Sequence, residues 1–98
     1  MSMILVNSEQ LRQKANQLEQ MNNQFKQAVV SLTESEANLA SMWEGDAQKA
    51  FRAAFNSDCQ QFDSFYKGIA QYVQALREAA AQYDKAEGRN VDLAKTRV

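Results

Sequence analysis

The chain contains no histidine and no proline, and it has only three glycines and one cysteine. Histidine is the commonest general base near neutral pH and the commonest metal ligand, so its absence excludes a Ser-His-Asp or Cys-His site within one chain. The lone cysteine, Cys59, can form neither an intrachain disulfide nor a two-cysteine zinc site. The sequence also lacks a glycine-rich phosphate loop. We therefore expect no enzymatic activity, no metal and no cofactor.

Long apolar runs and clusters of one charge sign are also missing. The formal net charge is −1 and Lys and Arg form no stripe, which disfavours nucleic acid and anionic membranes as partners. The apolar residues 1–6 have no basic region and turn polar at Asn7, too early for a signal peptide. No window approaches the length of a transmembrane helix. We expect a protein that is cytoplasmic or leaves the cell without a cleaved signal, and nothing indicates a small-molecule substrate.

The first half of the chain has helical periodicity. Asn7 and Gln10 have the spacing of a capping box, which predicts a helix over about 8–41. Its first seven-residue column consists of Leu11, Leu18, Phe25, Leu32 and Leu39. Its second column consists of Ala15, Asn22, Val29, Glu36 and Trp43. Together the columns have the alternating four-and-three spacing of a coiled-coil seam. Asn22 and Glu36 interrupt the second column, and polar residues at such positions usually set register or lie at the edge of a seam.

The second half predicts another helix, over about 46–87. Asp46 at its start can cap free amides and suits the helix dipole, and Gly88 is a typical C-terminal stop. Its seven-residue column consists of Phe55, Phe62, Ile69, Leu76 and Tyr83. We predict that the first four of these, with the first column of the other helix, form the core of a hairpin. Residues 89–98 show little periodicity, so we expect a flexible tail.

The apolar arc of each helix is wider than the seam between two helices needs. A chain this small is marginal without oligomerisation, and a second hairpin packed face to face would cover the rest. We therefore predict an all-α fold, an antiparallel two-helix hairpin that dimerises into a four-helix bundle. The dimer-face candidates are the residues that flank the central columns: Met21, Ala28, Phe51, Phe65 and Tyr72.

Two short motifs remain. Residues 42–45 join the predicted helices and hold Trp43-Glu44-Gly45, with the only tryptophan of the chain. This tripeptide is either a plain connection in which Trp43 covers the end of the core, or an exposed epitope for a partner. Tyr83 and Glu87 are four residues apart and therefore share one helix face. They are either the last core residue and a solvated charge, or a second recognition element.

A central Trp-x-Gly, helical halves on either side, a length of about a hundred residues and a late Tyr-x-x-x-Glu occur together here. In this combination the chain resembles the WXG family of small proteins exported by type VII secretion systems, the group that includes the early secreted antigenic target of mycobacteria. The resemblance covers residues from about 5 to 88. Trp43 and Gly45 match the family's turn motif, and Tyr83 and Glu87 match its C-terminal secretion motif.

The resemblance implies antiparallel dimers of helical hairpins that are recognised by a membrane-embedded export machine with a cytoplasmic ATPase. It also implies a protein that is cytoplasmic before export and is secreted without a cleaved signal. Family members pair with themselves or with a related member, and the wide apolar arcs here favour a homodimer. An antiparallel dimer would bring Trp43 of one chain near Tyr83 of its partner, so that a composite export signal exists only in the folded dimer.

Three functions stay open at this point. The first is a non-catalytic secreted protein, exported as a folded dimer, that acts through protein–protein binding as an effector or export partner. The second is an export adaptor or chaperone that pairs with a larger secreted substrate such as a toxin. The third is a generic cytoplasmic coiled-coil scaffold, which explains the heptads but treats both motifs as coincidence.

Overall fold

Two long α-helices and the turn between them make up the fold. The structure is a computed structural model that describes the backbone of residues 7–96 and the side chains of residues 7–88. The first helix, α1, spans Ser8–Ser41, and the second, α2, spans Asp46–Thr96. The helices are antiparallel, because Gln48 contacts Ala40 beside the turn while Asp84 contacts Arg12 far from it. The predicted helical hairpin is therefore confirmed.

The start of α1 is fixed by the predicted capping box. The Asn7 side chain accepts a hydrogen bond from the Gln10 backbone N–H at 2.8 Å. The Gln10 side chain accepts in return from the Asn7 backbone N–H at 3.1 Å. These reciprocal bonds satisfy two amides that have no partner inside the helix. α1 has the same bounds as the predicted first helix.

The second helix is longer than predicted. α2 continues through Gly88 to Thr96, so the prediction that it ends at Glu87 is wrong. A glycine ends a helix when it adopts a left-handed conformation, and Gly88 has no positive φ. An interior glycine costs about 1 kcal/mol relative to alanine, which does not break a helix where no proline follows. Residues 97 and 98 of the predicted tail lie outside the described residues, and the tail's flexibility stays a prediction. Between residues 7 and 96, no helical stretch combines the length and apolar character that crossing a membrane requires.

Small and polar side chains form the seam between α1 and α2. The described residues that are buried are Ala15, Asn22, Glu36, Ala40, Val73 and Ala80. No large side chain among the described residues is completely enclosed. One hairpin alone therefore has a thin core, because burial of large apolar side chains is the main favourable term in folding.

The large apolar columns lie beside this seam. Most of their residues are half-buried, namely Leu11, Leu18, Phe25, Phe55, Phe62, Ile69 and Leu76. Leu32 and Leu39 are 47% and 46% exposed, so their prediction as core of a single hairpin is wrong. A seven-residue column drifts by about 20° per heptad on a straight α-helix. The column faces α2 near Leu11 and has rotated to the side of the hairpin by Leu39.

Candidate interaction surfaces

The turn between the helices is shaped by Gly45 and Trp43. Gly45 has a φ of +111°, the only positive φ among the described residues, which glycine adopts without the steric cost that other residues incur. Its carbonyl accepts a hydrogen bond from the Lys49 N–H at 3.2 Å, so the reversal leads directly into α2. Trp43 is half-buried, and its ring centroid lies 5.8 Å from that of Phe51. Glycine therefore reverses the chain and tryptophan anchors the reversal on α2.

Two side chains of α2 reach across to α1 just below the turn. Gln48 Nε2 donates to the Ala40 carbonyl at 2.9 Å, and this carbonyl at the end of α1 also accepts from the Trp43 N–H at 3.4 Å. Arg52 Nε lies 3.0 Å from Glu36 Oε1, and the Glu36 side chain is only 6% exposed. Sequence reasoning missed Arg52 and Gln48. The signal in the sequence was Glu36 itself. A buried carboxylate needs a cationic partner, and in an antiparallel hairpin that partner lies on the other helix at about the same distance from the turn.

Asn22 connects the helices near the middle of the hairpin. Its side chain is buried, and Nδ2 donates to the Tyr66 carbonyl at 3.0 Å. Oδ1 is also buried and has no hydrogen-bond partner among the described residues. The bond places the backbone around Asn22 level with the backbone around Tyr66.

Tyr83 and Glu87 lie far from the turn. Both are exposed and one helical turn apart on α2. Tyr83 is roughly 55 Å along α2 from Asp46, at 1.5 Å per residue. Trp43 and Tyr83 of one chain therefore cannot form a single contiguous site.

Charged pairs join the helices near Tyr83. Arg12 of α1 is paired with Asp84 of α2. Arg77 Nη1 and Nη2 donate to the two carboxylate oxygens of Glu19 at 3.1 and 3.2 Å. Hydrogen bonds from Ser8 and then Arg12 lower the pKa of Asp84 below its ordinary range. The hydrogen bond from Arg77 likewise lowers the pKa of Glu19. Both pairs are exposed to water, so each contributes little to stability.

One side of the hairpin, which we call the apolar side, carries large side chains that no described part of the chain covers. Its members are Met21, Ala28, Leu32, Leu39, Phe51, Phe65 and Tyr72. Met21 and Tyr72 are 62% and 60% exposed. A groove of about 380 Å³ runs along this side near the turn, between residues that include Leu32, Leu39, Phe51 and Phe55. Contiguous exposed apolar surface of this kind is typical of a protein–protein interface.

Known proteins share this sequence pattern and this fold. Residues 3–88 match the family described as proteins of 100 residues with WXG. The chain is 26% identical to the type VII secretion system extracellular protein A of Staphylococcus aureus, over 95% of this chain and 99% of that protein. It resembles the crystal structure of the secreted protein EsxB from Bacillus anthracis with a TM-score of 0.78 at 18% identity, over 89% of this chain and 99% of that chain. Geobacillus thermodenitrificans EsxA gives a TM-score of 0.76 at 19% identity, over 91% of this chain and 96% of that chain.

Proposed function

The chain belongs to the family of proteins of 100 residues with WXG, and from this premise we propose that it is a secreted, non-catalytic binding protein. A type VII secretion system exports it as a folded helical homodimer. It then acts through protein–protein contacts, as an effector or as an export partner of other substrates. The extracellular type VII protein of Staphylococcus aureus that it resembles over nearly its whole length supports the export route.

The observation that most supports a dimer is the uncovered apolar side. Met21, Phe65 and Tyr72 are all more than half exposed in one hairpin, whereas the seam of that hairpin is small and polar. Burial contributes about 25 cal/mol per Å² of apolar surface, so covering this side with a second hairpin adds to the stabilisation that the small seam provides. The result is a four-helix bundle of two antiparallel hairpins.

The export signal then combines two chains. Trp43 and Gly45 lie at the turn, and Tyr83 and Glu87 lie at the far end of the same hairpin. In an antiparallel dimer the turn of one chain comes next to Tyr83 and Glu87 of its partner. The secretion machine would recognise this composite surface and would therefore export only folded dimers.

Export of single variants from a type VII-competent host tests this proposal. Trp43→Ala, Tyr83→Ala and Glu87→Ala should stay helical by circular dichroism and accumulate in the cells instead of the medium. Glu78→Ala, which removes another exposed acid of α2, is the matched control and should be exported normally. The composite signal would be refuted if the Trp43→Ala variant and the Tyr83→Ala variant were both exported normally.

The solution mass of the purified chain separates the two export roles. A helical dimer of about twice 11.1 kDa supports a self-sufficient exported protein. A weakly helical monomer supports the adaptor alternative, in which the apolar side is reserved for one hairpin of a larger substrate.

A further inference from the structure

Two seven-residue columns run along the apolar side, one on each helix. The column of α1 consists of Lys14, Met21, Ala28, Ser35 and Met42. The column of α2 consists of Phe51, Asp58, Phe65, Tyr72 and Ala79. Each contains one charged residue, Lys14 or Asp58. Both are exposed, and neither takes part in an ion pair with the side chains described between residues 7 and 88.

The column of α2 matches itself when it is read in the opposite direction. In an antiparallel pair with two-fold symmetry, packed face to face, each helix lies beside its own copy. With the axis at Phe65, Phe51 lies opposite the small Ala79, and Asp58 lies opposite Tyr72. One large side chain thus meets a small one, Phe65 meets its own copy, and the one carboxylate meets the one hydroxyl donor of its column.

The column of α1 matches itself over its first three members, Lys14, Met21 and Ala28. With the axis at Met21, Lys14 lies opposite Ala28. The aliphatic stem of Lys14 can then cover the small side chain while its ammonium group reaches water.

Met21 and Phe65, the two residues placed on the axis, lie at the same distance along the hairpin. The hydrogen bond of 3.0 Å from Asn22 Nδ2 to the Tyr66 carbonyl joins the residues that immediately follow Met21 and Phe65. At 1.5 Å per residue, Met21 is about 30 Å from the end of α1 at the turn and Phe65 is about 28 Å from the start of α2. One axis therefore serves both columns.

We propose that a second copy of this chain docks antiparallel on the apolar side, with the two-fold axis at Met21 and Phe65, so that Asp58 accepts a hydrogen bond from the partner's Tyr72. This inference rests on the proposed homodimer and specifies its register. The pair occurs twice by symmetry. Tyr83, about 27 Å beyond Phe65, then lies level with the partner's turn, as the composite export signal requires.

Asp58 selects this register among otherwise similar ones. The apolar columns repeat every seven residues, so a shift of one heptad again places apolar side chains opposite each other. Such a shift puts Asp58 opposite the partner's Phe65 or the partner's Ala79, and neither side chain can donate a hydrogen bond. A carboxylate that is desolvated without a donor is costly.

Self-cross-linking through a single cysteine measures the register. Cys59 is half-buried and is first replaced by serine. Phe65→Cys in this background should form a disulfide with its own copy, because disulfides need Cα atoms within about 7 Å. Met21→Cys should do the same on α1. Tyr72→Cys is the matched control: its two copies would be about 20 Å apart along the axis and should not cross-link. The double variant Asp58→Cys with Tyr72→Cys should cross-link.

The outcomes distinguish a failure of the proposed register from a failure of the proposed homodimer. If the wild-type chain is a monomer by solution mass, the proposed homodimer fails. If the wild type is a dimer and the variants keep its helicity and mass, but Phe65→Cys and Met21→Cys do not cross-link, the register is wrong and the homodimer stands.

Dimer affinity provides a second readout that needs no cysteine. Tyr72→Phe removes the donor and should weaken dimerisation roughly tenfold, since hydrogen bonds to charged groups are the stronger ones. Tyr66→Phe, on a residue of the seam, is the control and should leave affinity unchanged. Asp58→Asn should weaken the dimer of the Tyr72→Phe variant less than it weakens the wild-type dimer. Independent effects of the two substitutions would overturn the pairing.

Discussion

The two ends of the hairpin are held together by different means. At the turn end, residues 36–52, the chain is covalently closed, Trp43 packs on Phe51, and the buried Glu36 is paired with Arg52. At the open end, which holds residues 8–19 of α1 and 77–87 of α2, Ala15 and Ala80 are buried in the seam, but the ion pairs that join the helices are exposed to water. The two ends therefore differ in their charged contacts, which are buried beside one half of the proposed export signal and exposed beside the other half.

Replacing Arg52 would affect the turn end most. Arg52→Met leaves the Glu36 carboxylate buried without its cation, and breaking a fully buried pair costs about 3–5 kcal/mol. Because Arg52 itself is 47% exposed, we expect a loss of about 2–3 kcal/mol in the free energy of unfolding. Urea unfolding measures it. Arg77→Met at the open end is the matched control and should cost clearly less, and equal losses would remove the contrast between the ends.

The next effect concerns the chain reversal. Gly45→Ala forces a residue with a Cβ into a left-handed conformation and should lower the free energy of unfolding by about 1–2 kcal/mol. Nothing lies within 4 Å of a Cβ built at Gly45, so the cost is one of backbone conformation alone. Gly68→Ala, inside α2 and equally uncrowded, should instead stabilise by about 0.5–1 kcal/mol. Thermal unfolding at matched concentration would show changes of opposite sign, and a shared sign would contradict the role of Gly45.

The smallest effect should appear only at the open end, when the pH falls. Asp84 and Glu19 have lowered pKa values in the folded chain, so their stabilising contribution is present above the ordinary carboxyl range and is lost as the pH falls through the lowered values. Below about pH 4, the protection of open-end amide hydrogens, relative to their intrinsic exchange rates at each pH, should therefore fall. Amides of the turn end serve as the internal reference. Uniform acceleration along the hairpin would mean that these pairs do not hold the open end.

Much of the fold could be predicted from particular residues. The capping box of Asn7 and Gln10 marks the start of α1, and Trp43 with Gly45 marks the reversal, because both signals are local in sequence. The end of α2 could not be predicted, since Gly88 stops a helix only if its φ turns positive and nothing nearby forces that. The sequence also did not reveal which seven-residue column forms the seam, because this depends on how far such a repeat drifts on a straight helix.

The structure gives each predicted motif residue a clear position, whereas the side chains that pair the two helices could not be predicted from the sequence. Gly45 adopts the conformation that explains its presence, and Tyr83 is exposed at the opposite end of the hairpin. Arg12, Arg52 and Arg77 bridge the helices through long side chains whose reach and direction only a structure reveals. Glu36 was recognised as an interruption of the seam, but the residue that neutralises it was not.

The alignment of both helices along a single axis has a geometric consequence for transport. A helix with its side chains is about 10–12 Å wide, so a bundle of four measures about 20–24 Å across, whatever its length. A conduit that passed the proposed four-helix dimer end-on would need only that diameter, and longer helices would increase the mass of the exported protein without requiring a wider conduit.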